Sequence, residues 1–177
     1  MKRHTLYVDG GSRGNPGPAG YGAVIQFPEE GIERERLSAA LPRSTNNEAE
    51  YQGLIAGLRR LRELGAVRVL VRADSELIVR QMQGRYQVRS SQLRPLYALA
   101  RELTGGFADF QIEHIPRELN READRLANQA MDRAAGKAPA ADRTPPAQAA
   151  GILEDGVVRF FATPPWPDGT RVRVRKA

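Results

Sequence analysis

Strand-like and helix-like stretches alternate through the first 134 residues in an order that neither a helical bundle nor a β sandwich can accommodate. Leu6 and Val8 alternate with Tyr7 and Asp9, which predicts a strand over His4 to Asp9. A Gly- and Pro-rich stretch, DGGSRGNPGPAG, reads as a loop. Tyr21 to Phe27 and Ile32 to Leu41 predict two further strands about a turn at Pro28 to Gly31. Thr45, with Glu48 three residues on, forms a capping box. The helix it opens has Leu54, Leu58 and Leu61 on one stripe and ends at Gly65. Val67, Val69 and Val71 give a fourth strand that closes at Asp74. Ser75 to Gln83 reads as a short helix, Gly84 to Ser91 as a loop and Gln92 to Leu103 as another helix. Phe110 to Ile115 is a fifth strand, stopped by Pro116. Asn120 is placed to cap a last helix whose apolar face takes Leu119, Ala123, Leu126, Ala127 and Ala130. The order β-β-β-α-β-α-α-β-α defines an α/β fold, a mixed five-stranded sheet with flanking helices.

The remainder differs in composition. Residues 135–150 are rich in Ala and Pro and lack aromatic side chains, as a linker does. Residues 151–177 turn strand-like again, at Val157 to Ala162 and Arg171 to Arg175, with turns at Asp155-Gly156 and Asp168-Gly169. Three parts are therefore expected: an α/β domain over 1–134, a linker over 135–150 and a short C-terminal β segment over 151–177. So small a unit cannot bury a core alone. Val157, Phe160, Trp166 and Val172 need cover, and pairing of two copies into a homodimer is the expected solution.

No cysteine is present, which excludes disulfides and thiolate metal sites. No apolar run is long enough to cross a membrane, and the N-terminus does not read as a secretory leader, so no membrane partner and a cytoplasmic location are expected. The net charge of +6 suits a polyanionic partner, and the balance stays basic when the tail is left out.

Four acids stand where strands end or helices begin. Asp9 and Asp74 close the first and fourth strands, Glu50 lies in the first turns of the long helix, and Asp124 is early in the last one. Taken singly, a strand-end Asp is a turn residue and an early helical Glu answers the helix dipole. Glu48 needs no more than its capping box. The four together imply more. If the first and fourth strands are neighbours, Asp9 and Asp74 meet at one end of the sheet, where their repulsion calls for a shared cation. Hydrolysis of a phosphodiester by two metal ions, held about 4 Å apart, needs such converging carboxylates. Their hard oxygens suit Mg²⁺.

Four stretches, YVDGGSRGNPGPAGYGAV, TNNEAEYQGLIAGL, VRADSELIVRQMQG and IPRELNREADRLANQA, occur in the order and spacing of the type 1 ribonuclease H family. The chain resembles that family from Met1 to about Ala134. The resemblance implies a ribonuclease H-like fold and an endonuclease that cuts the RNA strand of RNA–DNA hybrids, leaving a 3′-hydroxyl and a 5′-phosphate. It implies two Mg²⁺ ions, or Mn²⁺ as an alternative, on Asp9, Glu50, Asp74 and Asp124. Gly10, Ser12, Arg13, Asn15 and Asn47 match positions that line the hybrid's minor groove, where a 2′-hydroxyl can be read. Ser75 and Glu76 match a further RNA-contacting stretch. The Gly-rich segment is no phosphate-binding P-loop, because no Gly-Lys-Ser/Thr follows.

The chain departs from the family pattern at two places. Many members carry a His in the loop before the last aspartate. Here the only histidines are His4 and His114, and His114 falls within a strand, where a structural role is expected. Arg117, seven residues before Asp124, resembles a branch of the family that uses Arg there, with electrostatic help and no proton transfer. The loop from Gly84 to Ser91 also lacks the large basic protrusion of some relatives. Arg85, Arg89 and Arg94 are its local substitutes for DNA-strand phosphates. The competing readings are a catalytically silent hybrid-binding module, and a nuclease of the same fold acting on double-stranded RNA or structured DNA. The tail, with EDGVV…PDGTRVRV, resembles a small antitoxin-like β module.

Overall fold

The computed structural model describes residues 3–28, 34–137, 151–154 and 157–160. The chain divides into two compact units, Met1–Pro139 and Ala140–Ala177. The first holds strands β1 (His4–Ser12), β2 (Gly17–Gln26), β3 (Glu35–Ser44), β4 (Arg68–Ala73) and β5 (Asp109–His114). Its helices are α1 (Asn46–Glu63), α2 (Glu76–Met82), α3 (Leu93–Thr104) and α4 (Arg121–Ala134), with a single 3₁₀ turn at Arg117–Leu119. The sheet order is β3-β2-β1-β4-β5. β1, β2 and β3 pair antiparallel, while β4 lies parallel to both β1 and β5. The predicted mixed five-stranded sheet with flanking helices is thus the fold observed.

Side chains alternate across each strand, so the sheet has two different faces. Leu6 and Val8 of β1 join Val69 and Val71 of β4, and with Leu54 and Leu58 of α1 they form the fully buried core. The opposite face of β1 to β3 is covered by α4. The capping box predicted for α1 is present in both directions: Thr45 Oγ1 accepts from the Glu48 amide, and the Glu48 carboxylate accepts from the Thr45 amide. The Tyr51 hydroxyl donates to Gln81 Oε1 at 2.8 Å and joins α1 to α2 inside the core.

Three sequence readings need correction. The Gly-rich stretch is mostly strand, since β1 runs on to Ser12 and β2 starts at Gly17, leaving only residues 13–16 as the turn. Glycines of β2 serve close packing: a Cβ on Gly20 would stand 2.5 Å from Ala130 Cβ, and one on Gly22, in the part already read as strand, would stand 2.3 Å from the Ala123 carbonyl oxygen. Glycine inside a strand often marks such close approach of another backbone. Leu119 is not on the apolar face of α4, because it sits in the 3₁₀ turn and is 66% exposed. Asn120 precedes α4 but makes no capping hydrogen bond.

In the second unit β6 (Gly151–Glu154) pairs antiparallel with β7 (Val157–Phe160). The predicted strand at 171–175, the turn at 168–169 and the pairing residues Trp166 and Val172 lie outside the described residues, as does most of the linker.

Candidate active site

The parallel pairing of β1 and β4 settles where the first two acids lie. Val8 is in register with Ala73, so Asp9 and Asp74 follow side by side on neighbouring strands. Gly10 brings the third acid close: a Cβ there would stand 2.4 Å from the Ala49 carbonyl carbon and 2.5 Å from the Glu50 nitrogen. Only a glycine lets the start of α1 rest on β1 and carry Glu50 toward Asp9. Asp124, in the first turn of α4, completes the set from the other face of the sheet.

Burial pushes the Asp9 carboxyl up to about 7, helped by the charges of Asp74 and Asp124 and opposed by a backbone hydrogen bond from Gly10 and by Arg117. Glu50 is also pushed up to about 7 by burial, against a hydrogen bond from Ser75 and with the charges of Asp9 and Asp74 adding to the rise. The four acids therefore share one electrostatic field.

Three of them are held by donors of the protein. The Ser75 hydroxyl donates to Glu50 Oε2 at 2.8 Å. Asn120 Nδ2 donates to Asp74 Oδ1 at 2.8 Å, and also to the Val8 carbonyl at 2.8 Å. An Arg117 Nη2 hydrogen bond reaches Asp124 Oδ1. The Arg117 side chain is 70% exposed, so it faces both the acids and solvent. Among the described residues no three acids or histidines already close on one point as a metal cage. Mutually repelling carboxylates settle on whatever donors the fold supplies. Each carboxylate still has a second oxygen, and an all-oxygen set of this charge fits a hard divalent cation.

The predicted substrate contacts divide into two groups. Gly10, Ser12, Arg13, Asn15 and Asn47 gather where the β1–β2 turn meets the start of α1. Asn46 Oδ1 accepts from the Ser12 backbone N–H at 2.8 Å and from its hydroxyl at 2.9 Å, while the Asn46 backbone N–H donates to Asn15 Oδ1 at 3.1 Å. Asn47 is half-buried and makes no side-chain hydrogen bond to the described residues. The Arg13 guanidinium turns toward α4 and leaves the backbone to face a ligand. Glu76 stays out of the acid cluster, paired with Arg80 at 2.5 Å, and Arg80 lies over the Tyr86 ring. Arg85 and Arg89 are exposed on the predicted loop, and Arg94 follows at the start of α3 with its Nε 3.4 Å from the Val88 carbonyl.

Neither histidine is hydrogen-bonded or ion-paired to the four acids; His114 ends β5 exposed, and His4 packs edge-on against Phe27. Sequence reasoning overlooked Asn46 and misread Asn120. An Asn before a helix is normally a cap. Only the tertiary structure shows that this one, 1% exposed, is turned inward to hold Asp74.

The family described as reverse transcriptase-like matches residues 7–130. Among curated relatives, a bifunctional protein of Mycobacterium tuberculosis is 50% identical over 141 residues, covering 80% of this chain and 38% of its own length. Ribonuclease HI of Halobacterium salinarum is 44% identical over 130 residues, covering 73% of this chain and 65% of its own. This chain thus spans well under half of the mycobacterial relative. The crystal structure of LC11-RNase H1 in complex with an RNA/DNA hybrid superposes with a TM-score of 0.68 at 43% identity, covering 75% of this chain and 99% of that one.

Proposed function

Because the chain belongs to the ribonuclease H family, we propose that it is an endonuclease that hydrolyses the RNA strand of RNA–DNA hybrids with the help of two divalent metal ions. The observation that carries this reading is the convergence of Asp9, Glu50, Asp74 and Asp124 around the end of β4 beside the central strand β1, with Asp9 and Glu50 each pushed up to about 7. Carboxylates so burdened are suited to give up protons to a cation. The complex of a relative with an RNA/DNA hybrid supports the substrate class.

The four acids would hold Mg²⁺, or Mn²⁺ as the alternative, through oxygens alone. The ions would supply an activated water and neutralise charge on the leaving oxygen. Everything else falls to the chain's own residues. Ser75 fixes the Glu50 carboxylate and Asn120 fixes that of Asp74. Arg117 offers a positive charge at Asp124 that stays protonated throughout, so its help is electrostatic. The surface that carries Gly10, Ser12, Asn15 and Asn47 faces the minor groove, where a 2′-hydroxyl distinguishes RNA from DNA; Ser12 shapes it through its bonds to Asn46. Arg85, Arg89 and Arg94 are placed for phosphates of the DNA strand. The products carry a 3′-hydroxyl and a 5′-phosphate.

The test is cleavage of an end-labelled hybrid with Mg²⁺ or Mn²⁺, beside matched double-stranded RNA and DNA. Cleavage confined to the RNA of the hybrid, abolished in Asp9→Asn and Asp74→Asn, is the expected result. Arg117→Ala should slow turnover at saturating hybrid by about tenfold or more, as loss of a charge-stabilising donor does. Metal-independent binding without cleavage would instead identify a silent hybrid-binding module, and cleavage of another duplex alone would move the substrate.

A further inference from the structure

The turn between β1 and β2 is fastened to both helices that carry metal-site acids. Asn46 ties it to α1, through Asn15 of the turn and Ser12 just before it. Arg13 ties it to α4. Its Nε and Nη2 donate to Asp132 Oδ1 at 3.2 and 3.0 Å, and Nη2 also donates to Asn128 Oδ1 at 3.2 Å. Asn128 Nδ2 then donates to the backbone carbonyl of Asp124 at 2.9 Å. Two hydrogen bonds thus separate the Arg13 guanidinium from the residue that supplies the fourth acid.

We propose that Arg13 and Asn128 are positioning residues that set the placement of Asp124 from the seat of the hybrid on the 13–16 turn. The inference rests on the reading of the chain as a hybrid nuclease. An exposed Arg beside a nucleic-acid groove would ordinarily be a phosphate contact, but these donors are committed to α4. The guanidinium is a rigid fork that engages two acceptors at once, which a lysine cannot reproduce. The start of α4 lacks a capping bond, because Asn120 is turned to Asp74. Close packing on the β2 glycines seats α4 on the sheet, and the Arg13–Asn128 bridge adds a lateral tie one turn beyond Asp124. The Arg13–Asp132 ion pair is half-exposed, and its Asp132 Oδ1 also lies 3.7 Å from Lys137 Nζ. Such a pair contributes little stability. Its use lies in holding the guanidinium toward Asn128.

The test takes the full chain as Arg13→Ala, Arg13→Lys, Asn128→Ala and the Arg13→Ala/Asn128→Ala double variant. Cleavage is measured over hybrid and Mg²⁺ concentrations, and hybrid binding is measured in EDTA. Each single alanine variant should lower kcat at saturating hybrid by about three- to tenfold and raise the Mg²⁺ needed for half-maximal rate, with hybrid KM and metal-free Kd within about twofold of wild type. The double variant should be no worse than the worse single one, since both break one bridge. Arg13→Lys should behave as Arg13→Ala does.

A higher Kd in EDTA with unchanged kcat, and a salt slope shallower by about one, would make Arg13 a phosphate contact and overturn the proposal. Losses that multiply in the double variant would also overturn it, as would losses that vanish when each variant is assayed well below its Tm. If the wild-type chain fails to cut hybrid, the proposed function itself fails. If the wild type cuts and the variants match it, only the positioning role is lost.

Discussion

Asp9 and Glu50 hold their protons up to about pH 7 in the folded protein. In an unfolded chain such groups ionise near 4. The folded state therefore binds more protons than the unfolded one between these values, and stability falls as pH rises through that window. The contribution is intact at its acid end and lost at its neutral end. An isosteric neutral side chain removes the cost. Asp9→Asn should raise Tm relative to wild type at pH 8, by an amount equivalent to up to a few kcal/mol, and the gain should shrink steadily toward pH 4.5. Thermal melts in EDTA across that range check it. A variant no more stable than wild type at pH 8 would mean that the Gly10 amide and Arg117 already offset the burial of this carboxylate.

The strands and helices were legible wherever local chemistry decides them. The capping box of α1, the leucine stripe behind it and the β4–α2 junction at Asp74 all appear as the residues imply. The pairing of Asp9 with Asp74 followed once β1 and β4 were neighbours. The extent of β1 and β2 did not follow, because Gly10, Gly11 and Gly20 look like loop punctuation until a helix is seen lying on them. Asn120 was misread for the same reason: its local position names a cap, and only the arrival of β4 beside it supplies Asp74. Asn46 and Asn128 leave no mark in the sequence that separates them from ordinary helix-surface asparagines. If close packing explains the strand glycines, Gly22→Ala must force α4 away from β2, since its Cβ would also stand 2.6 Å from Leu126 Cβ and 2.7 Å from the Ala127 nitrogen. A loss of about 1–3 kcal/mol in urea unfolding is expected, the usual cost of overpacking. An unchanged midpoint would show that α4 rides on the sheet with slack.

Every residue of the main apolar cluster, from Leu6 to Ile112, belongs to the first compact unit, and so do the four acids with the donors that hold them. A core that closes within one unit does not need the other in order to fold. Among the described residues the ties run the same way: the Arg13–Asp132 pair that anchors the β1–β2 turn to α4 precedes the boundary at Pro139. A chain ended after Pro139 should therefore melt within a few degrees of the full chain and keep its kcat on hybrid within about twofold, a difference too small to reflect a lost catalytic contact. The hybrid KM is the quantity free to change, because residues 140–177 carry cations of their own, Arg159 among them. A weaker KM with steeper recovery at low salt would assign the second unit to holding nucleic acid. A collapse of kcat would show instead that the second unit completes the site, and that the nuclease is not contained in the first.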